Sequence, residues 1–146
     1  MKPNDETEPI ARRFVVLQHC DRDGVHFDLM IENGAKLATW KMPDPPERCG
    51  PHGQACRRIG EHRRLYLDYE GPISDDRGEV RRHDAGTCRV TIERPRSPTQ
   101  RWVADFEGTQ LRGRWVLEPA EQGDQCRHAR PDQWRLRRLE AGRSSG

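Results

Sequence analysis

Lysine is scarce in this 146-residue chain: Lys2, Lys36 and Lys41 are the only ones among 26 basic residues. The remainder are arginines, often in pairs such as Arg12–Arg13, Arg57–Arg58, Arg63–Arg64 and Arg81–Arg82. Hydrophobic residues make up only 32% and aromatics 6%, which excludes a large core and leaves room for one domain. No apolar run approaches the roughly 18–20 residues of a membrane-spanning helix. That absence and the lack of a signal-like opening set the expectation of a cytoplasmic protein without a membrane partner. The five cysteines form no close pairs, which excludes a zinc ribbon. Reduced thiols are expected. One loop, Cys49 to Cys56 around His52, has the residue types of a metal site but lacks further spaced ligands. A net charge of +2 excludes any argument from bulk charge. The arginine bias is more specific, because a planar guanidinium suits bidentate phosphate contacts.

Period-two alternation supplies the fold expectation. Phe14 to Leu17 is a short apolar run ending at Gln18–His19. Across Val25 to Glu32, Val25, Phe27, Leu29 and Ile31 take one face and His26, Asp28, Met30 and Glu32 the other. Asn33–Gly34 is a hairpin signal, with Lys36–Lys41 as the returning strand. Pro43–Gly53 reads as a loop, Leu65–Tyr69 as a strand or irregular extended segment, and Ser74–Gly86 as a charged loop. Cys88–Glu93, Trp102–Glu107, Leu111–Glu118 and Trp134–Leu139 read as further strands, with Gly108–Thr109 as a second hairpin and Pro119–Pro131 as a polar connection. The expected fold is all-β: a compact single-domain barrel of short antiparallel strands with long polar loops. It would occupy residues 11–139, between a flexible segment at 1–10 and a flexible tail at 140–146.

Two patches carry chemistry. His26 and Asp28 share the face opposite the apolar stripe, and a strand ending in His19 can close on them through the turn Asp21–Gly24. Two imidazoles and a carboxylate suit manganese, iron or zinc with positions left open. The same spacing is also met on plainly solvated strands. The second patch is His62 to Gly71, where His62 and Tyr66 bracket Arg63–Arg64. A charged loop with Tyr66 packed at the core edge explains that patch equally well.

The order of segments adds a resemblance. Phe14-Val-Val-Leu-Gln-His19 and Val25-His-Phe-Asp-Leu-Met-Ile-Glu32 are similar to the Phe-Val-Val-x-x-His and Leu-His-Tyr-Asp-Phe-Arg-Leu-Glu segments of the 3′-phosphoesterase domain family of DNA ligase D. Leu37-Ala-Thr-Trp-Lys-Met-Pro43 resembles its Leu-x-Ser-Trp-Ala-Val-Pro stretch. Glu61-His-Arg-Arg-Leu-Tyr-Leu-Asp-Tyr-Glu-Gly71 resembles its Asp-His-Pro-x-x-Tyr-x-x-Phe-Glu-Gly. Ala85-Gly-Thr87, Leu111-Arg-Gly-Arg-Trp-Val-Leu117 and Trp134-Arg-Leu136 fall where that family has a Gly-Ala-Gly-Thr, a Leu-x-Gly-x-Trp-x-Leu and a closing Trp-x-Leu.

The resemblance implies a manganese-dependent barrel that trims a 3′-terminal ribonucleoside and then a 3′-phosphate from primer–template DNA during repair. A separate ligase or polymerase chain would be its partner. His19, His26 and Asp28 would hold the metal, His62 would contact the scissile phosphate, and Tyr66 would complete the pocket. The chain departs from the family in three places. Met30 stands where the family has an arginine, which leaves Arg64 or Arg12 to supply phosphate-binding charge. The His19–His26 turn is one residue longer, and the segment 73–84 is longer, with His83 near the family's usual tyrosine. Met30 keeps a second reading open, a catalytically weakened module that retains metal and binds 3′ ends or docks on a repair complex. A small-molecule phosphatase on the same barrel is a third.

Overall fold

A computed structural model describes residues 10–120 and 131–139. The expected flexible segments, apart from Ile10, and most of the polar connection before Pro131 lie outside the described residues. Nine strands form one antiparallel sheet: β1 Ile10–Asp21, β2 Gly24–Asn33, β3 Lys36–Met42, β4 Gln54–Arg63, β5 Gly71–Pro72, β6 Glu79–Glu93, β7 Arg101–Gly108, β8 Arg112–Pro119 and β9 Gln133–Arg138. Their order is β1-β2-β3-β4-β9-β8-β7-β6-β5, and β6 also pairs with β1. Eight strands therefore close into a barrel, with β5 as a short addition on β6. Closure leaves none of those eight without two neighbours, which removes the open edges that invite aggregation.

Alternation gives each strand an inner and an outer side. Phe14, Val16, Phe27, Leu29, Ile31, Trp40, Trp102, Trp115 and Leu117 fill the interior. Trp40 meets Trp102 and Trp134 edge-to-face at 5.0 and 5.7 Å. The guanidinium of Arg58 lies 5.0–5.2 Å from all three rings and donates to Gln100 at 2.8 Å. One arginine thus plugs a tryptophan core, and its burial lowers its pKa.

A second apolar cluster lies on the outside. Val15, Leu17, Met30, Leu37, Leu67 and Val80 pack together, with Tyr66 and Tyr69 against them. Val15 and Leu17 face Met30 and Asp28 across β1 and β2. A 3-10 helix, Arg64–Leu67, lies over this face. β1 and β2 are consequently buried on both sides over their middle residues, which explains the continuous apolar run Phe14–Leu17.

The structure corrects several expectations. The segment expected as extended, Leu65–Tyr69, instead contributes to that 3-10 helix, because Leu67 must turn inward to cap the outer cluster. The expected charged loop Ser74–Gly86 is mostly strand, since β6 begins at Glu79 and pairs with β1, with Glu79, Arg81 and Arg82 exposed and Asp84 buried. The patch around His62 ends strand β4, whose register against β3 shifts between Leu37 and Thr39 and whose polar outer face hid it from the sequence. Val25, assigned to the inner stripe, is 51% exposed, because β2 emerges from its turn there beyond the barrel wall.

Candidate metal and phosphate site

The β1–β2 hairpin sets the site. His19 and His26 are direct cross-strand partners, and Asp28 faces Leu17 one same-face step further along. Their ring centroids are 4.5 Å apart. The Asp28 carboxylate reaches both rings: Oδ2 lies 3.6 Å from His19 Nδ1, and Oδ1 lies 3.3 Å from His26 Nε2. Asp28 is only 4% exposed, whereas both histidines are half-buried. Its Oδ1 is buried without a hydrogen-bond partner. A buried carboxylate oxygen left unsatisfied beside two imidazole nitrogens fits a divalent cation, which would complete its coordination.

The ionisation states follow the same geometry. Burial works to raise the Asp28 carboxyl, but the two facing imidazoles outweigh it and hold its pKa below the usual carboxylate range. Contact with Asp28 raises the His19 pKa, against the opposite pull of burial and with help from a backbone carbonyl. That carbonyl belongs to Arg77, 2.7 Å from His19 Nε2. With Nε2–H donating to Arg77, Nδ1 is the nitrogen left to bind a cation.

Asp21 was not singled out by sequence reasoning. One ligand atom each from His19, Asp21 and His26 lies within 4.8 Å of the other two, the one such group among the described residues. The signal that could have found it was present, because Asp21 and His19 are same-face neighbours on β1. Cys49, His52 and Cys56 form no comparable group among the described residues. Burial instead pushes the Cys56 thiol up to about 12.

The second patch stands apart from the first along the strands. His62 pairs with Leu37, which itself pairs with Glu32 on β2. That is four residues beyond Asp28, or about 13 Å at ~3.3 Å per residue. The rings of His62 and Tyr66 meet edge-to-face at 5.8 Å. His62 Nδ1 is bound to the Gly60 carbonyl at 2.9 Å, which leaves Nε2 as its free ring nitrogen. Between the patches lies Met30, 2% exposed in the cluster that supports Tyr66. Arg64 pairs with the Glu32 carboxylate, and Arg12 donates to the Glu32 carbonyl at 2.8 Å. The structure therefore brings His19, His26 and Asp28 together and, separately, His62 and Tyr66. It does not bring Arg12 or Arg64 to the histidine pair.

Two histidines and a buried carboxylate thus converge on one hairpin of the barrel. Among curated proteins, none matches the chain. The family of the DNA ligase D 3′-phosphoesterase domain matches residues 17–118, which span both patches. The match covers well over half of the chain, and the protein belongs to the DNA ligase D 3′-phosphoesterase domain family.

Proposed function

We propose that the protein is a manganese-dependent 3′-end-processing phosphoesterase that removes 3′-terminal ribonucleosides and 3′-phosphates from primer–template DNA in repair. The observation that carries this reading is the unsatisfied Oδ1 of Asp28, buried between the rings of His19 and His26. His19 Nδ1, His26 Nε2 and the Asp28 carboxylate would hold the cation. When bound, it supplies positive charge opposite the phosphate oxygens and acidifies water for attack on phosphorus. In the hydrolysis, the P–O bond to the leaving group breaks as the P–O bond to water forms, and the leaving oxygen takes up a proton. Asp28 keeps the two imidazoles in place, and Arg77 fixes the tautomer of His19. His62 and Tyr66 bind the substrate at the far side of Met30. Arg12 and Arg64 remain with Glu32 in this reading and leave the phosphate to the histidines. The protein works in the cytoplasm together with a ligase or polymerase.

A second reading rests on Met30. Its thioether is buried where the family has an arginine, and loss of one such electrostatic contact costs about 10²–10³ in rate. That favours a metal-retaining module that binds 3′ ends with little turnover.

An end-processing assay decides between them. Primer–templates ending in a 3′-phosphate or a 3′-ribonucleotide are incubated with manganese, alongside the His19→Ala and His26→Ala variants. Cleavage by the parent protein and its loss in both variants are expected. Turnover unchanged in His26→Ala would sink the site assignment. Manganese binding without any cleavage would leave the second reading.

A further inference from the structure

His26 belongs to two features at once. It stands in the metal-ligand group, and it also forms one end of a groove of about 420 Å³ that runs on towards β4 and β9. The groove wall includes Pro43 and Ala55, with Trp134 behind them, and its cations are Lys41, Arg57 and Arg135. Its volume lies in the range of sites that enclose small organic groups.

The charge arrangement asks for an anion. Asp28 faces Lys41 across β2 and β3, and Lys41 in turn faces Arg57 across β3 and β4. These positions form one row across the outer face, about 5 Å apart per strand, leading from the metal site into the groove. Like charges directly opposite one another destabilise a sheet. Lys41 makes no ion pair among the described residues, and Arg57 shares only its Nε with Asp132, at 3.2 Å. Arg135 is anchored by one nitrogen to the His52 carbonyl at 2.8 Å. Three cations around an apolar slot, with Lys41 and Arg57 directly opposed and Lys41 in no ion pair among the described residues, match a ligand that alternates flat apolar rings with phosphates.

We propose that this groove receives the retained strand of the substrate, the base of its 3′-terminal nucleotide lying against Pro43 and Ala55 and its upstream phosphates on Lys41, Arg57 and Arg135. The proposal rests on the phosphoesterase reading for what lies at His26, and it adds the direction in which the strand leaves that site. Single-stranded binding of this kind combines a basic track with ring stacking.

The test uses fluorescence anisotropy with a short labelled oligodeoxynucleotide ending in a 3′-phosphorothioate. The full chain is compared with an Ala55→Trp variant and a Lys41→Gln/Arg57→Gln double variant. Ala55 and Arg57 are exposed and Lys41 is half-buried, so both variants are compatible with folding. The double variant should weaken binding about tenfold and reduce the logarithmic salt slope by about 1.4, the release expected for two phosphate contacts. Ala55→Trp should weaken binding at an unchanged salt slope, because it fills the slot without removing charge. Manganese affinity, read by calorimetry, should be the same in all three proteins.

Unchanged oligonucleotide affinity in both variants would overturn the groove while leaving the phosphoesterase reading intact. A parallel fall in manganese affinity would also overturn it, since the effect would then act through His26. A parent protein that shows no cleavage, but whose binding falls in both variants, would sustain the groove and defeat the phosphoesterase reading.

Discussion

The Nε2 of His19 lies 2.7 Å from the carbonyl oxygen of Arg77, 58 residues further along the chain. A tight turn delivers that carbonyl. Asp75 and Asp76 adopt left-handed backbone angles, with φ of 64° and 59°, and Gly78 follows at 90°. The turn presses on the end of β1: a Cβ at Gly78 would collide with the Cys20 carbonyl oxygen and lie 2.9 Å from Asp21 Cα. A segment longer than the family pattern thus orients His19, a candidate metal ligand.

Gly78→Ala should push this turn off β1 and release His19. Outer partners of metal-bound histidines commonly contribute 10–100-fold in affinity, so manganese binding should weaken by about tenfold or more. Calorimetric titration would measure it. An unchanged affinity would show that Arg77 has no part in orienting the ring.

Met30→Arg tests whether the family's arginine can simply be restored. The side chain would enter a cluster of Val15, Leu17, Leu37, Leu67 and Val80. A guanidinium placed there without a prepared partner should cost about 3 kcal/mol, whereas the near-isosteric Met30→Leu should cost less than about 1.5. Urea midpoints of the two variants check this. Equal stability would mean that the arginine escapes the cluster towards Asp28.

Asp84 holds the β7–β8 turn. It is 4% exposed, and its two oxygens accept from the backbone N–H groups of Ala85, Thr109, Gln110 and Leu111 at 2.7–2.9 Å. Asp84→Ala strands those donors and should destabilise the barrel by about 3 kcal/mol. Thermal unfolding would register it as a drop of several degrees. Manganese affinity should hardly move, because Asp84 lies outside the ligand group.

Glu32 supplies a pH-dependent contribution. Burial works to raise its pKa, but the Arg13 backbone N–H and the Arg64 guanidinium outweigh this and lower it from the ordinary 4.5. A carboxylate with a lowered folded pKa stabilises the fold above its unfolded pKa, and that stabilisation is lost as pH falls through the folded value. Glu32→Gln should therefore cost about 1 kcal/mol at neutral pH, a figure limited by the exposure of Arg64. The difference from the parent protein should shrink as pH falls past the ordinary carboxylate pKa and vanish once it is below the lowered folded value. Melting curves across that range would show a persistent gap if Glu32 acts by packing alone.

Much of the site could be read along the chain because it is made of local relationships. His26 and Asp28 are two residues apart on one strand, and His19 reaches them through a hairpin, so alternation and pairing already bring them together. Family resemblance named the same residues. The second patch was legible only as a segment, since nothing in Glu61–Gly71 reveals which strand His62 faces or how far it stands from Asp28.

By itself, the sequence determined the all-β barrel and the hairpin that carries His19, His26 and Asp28, because side-chain period and turn chemistry act over a few residues. Only the tertiary structure decided that β1 and β2 are covered on both faces, so that Met30 belongs to a core rather than to an open phosphate site. It also decided that Arg77 holds His19, that Asp21 joins the histidines, and that Lys41 and Arg57 stand opposed beside a groove. Each of these depends on strands distant in sequence being brought into register by closure of the barrel. Burial and opposed charge are properties of that packing, which no local pattern encodes.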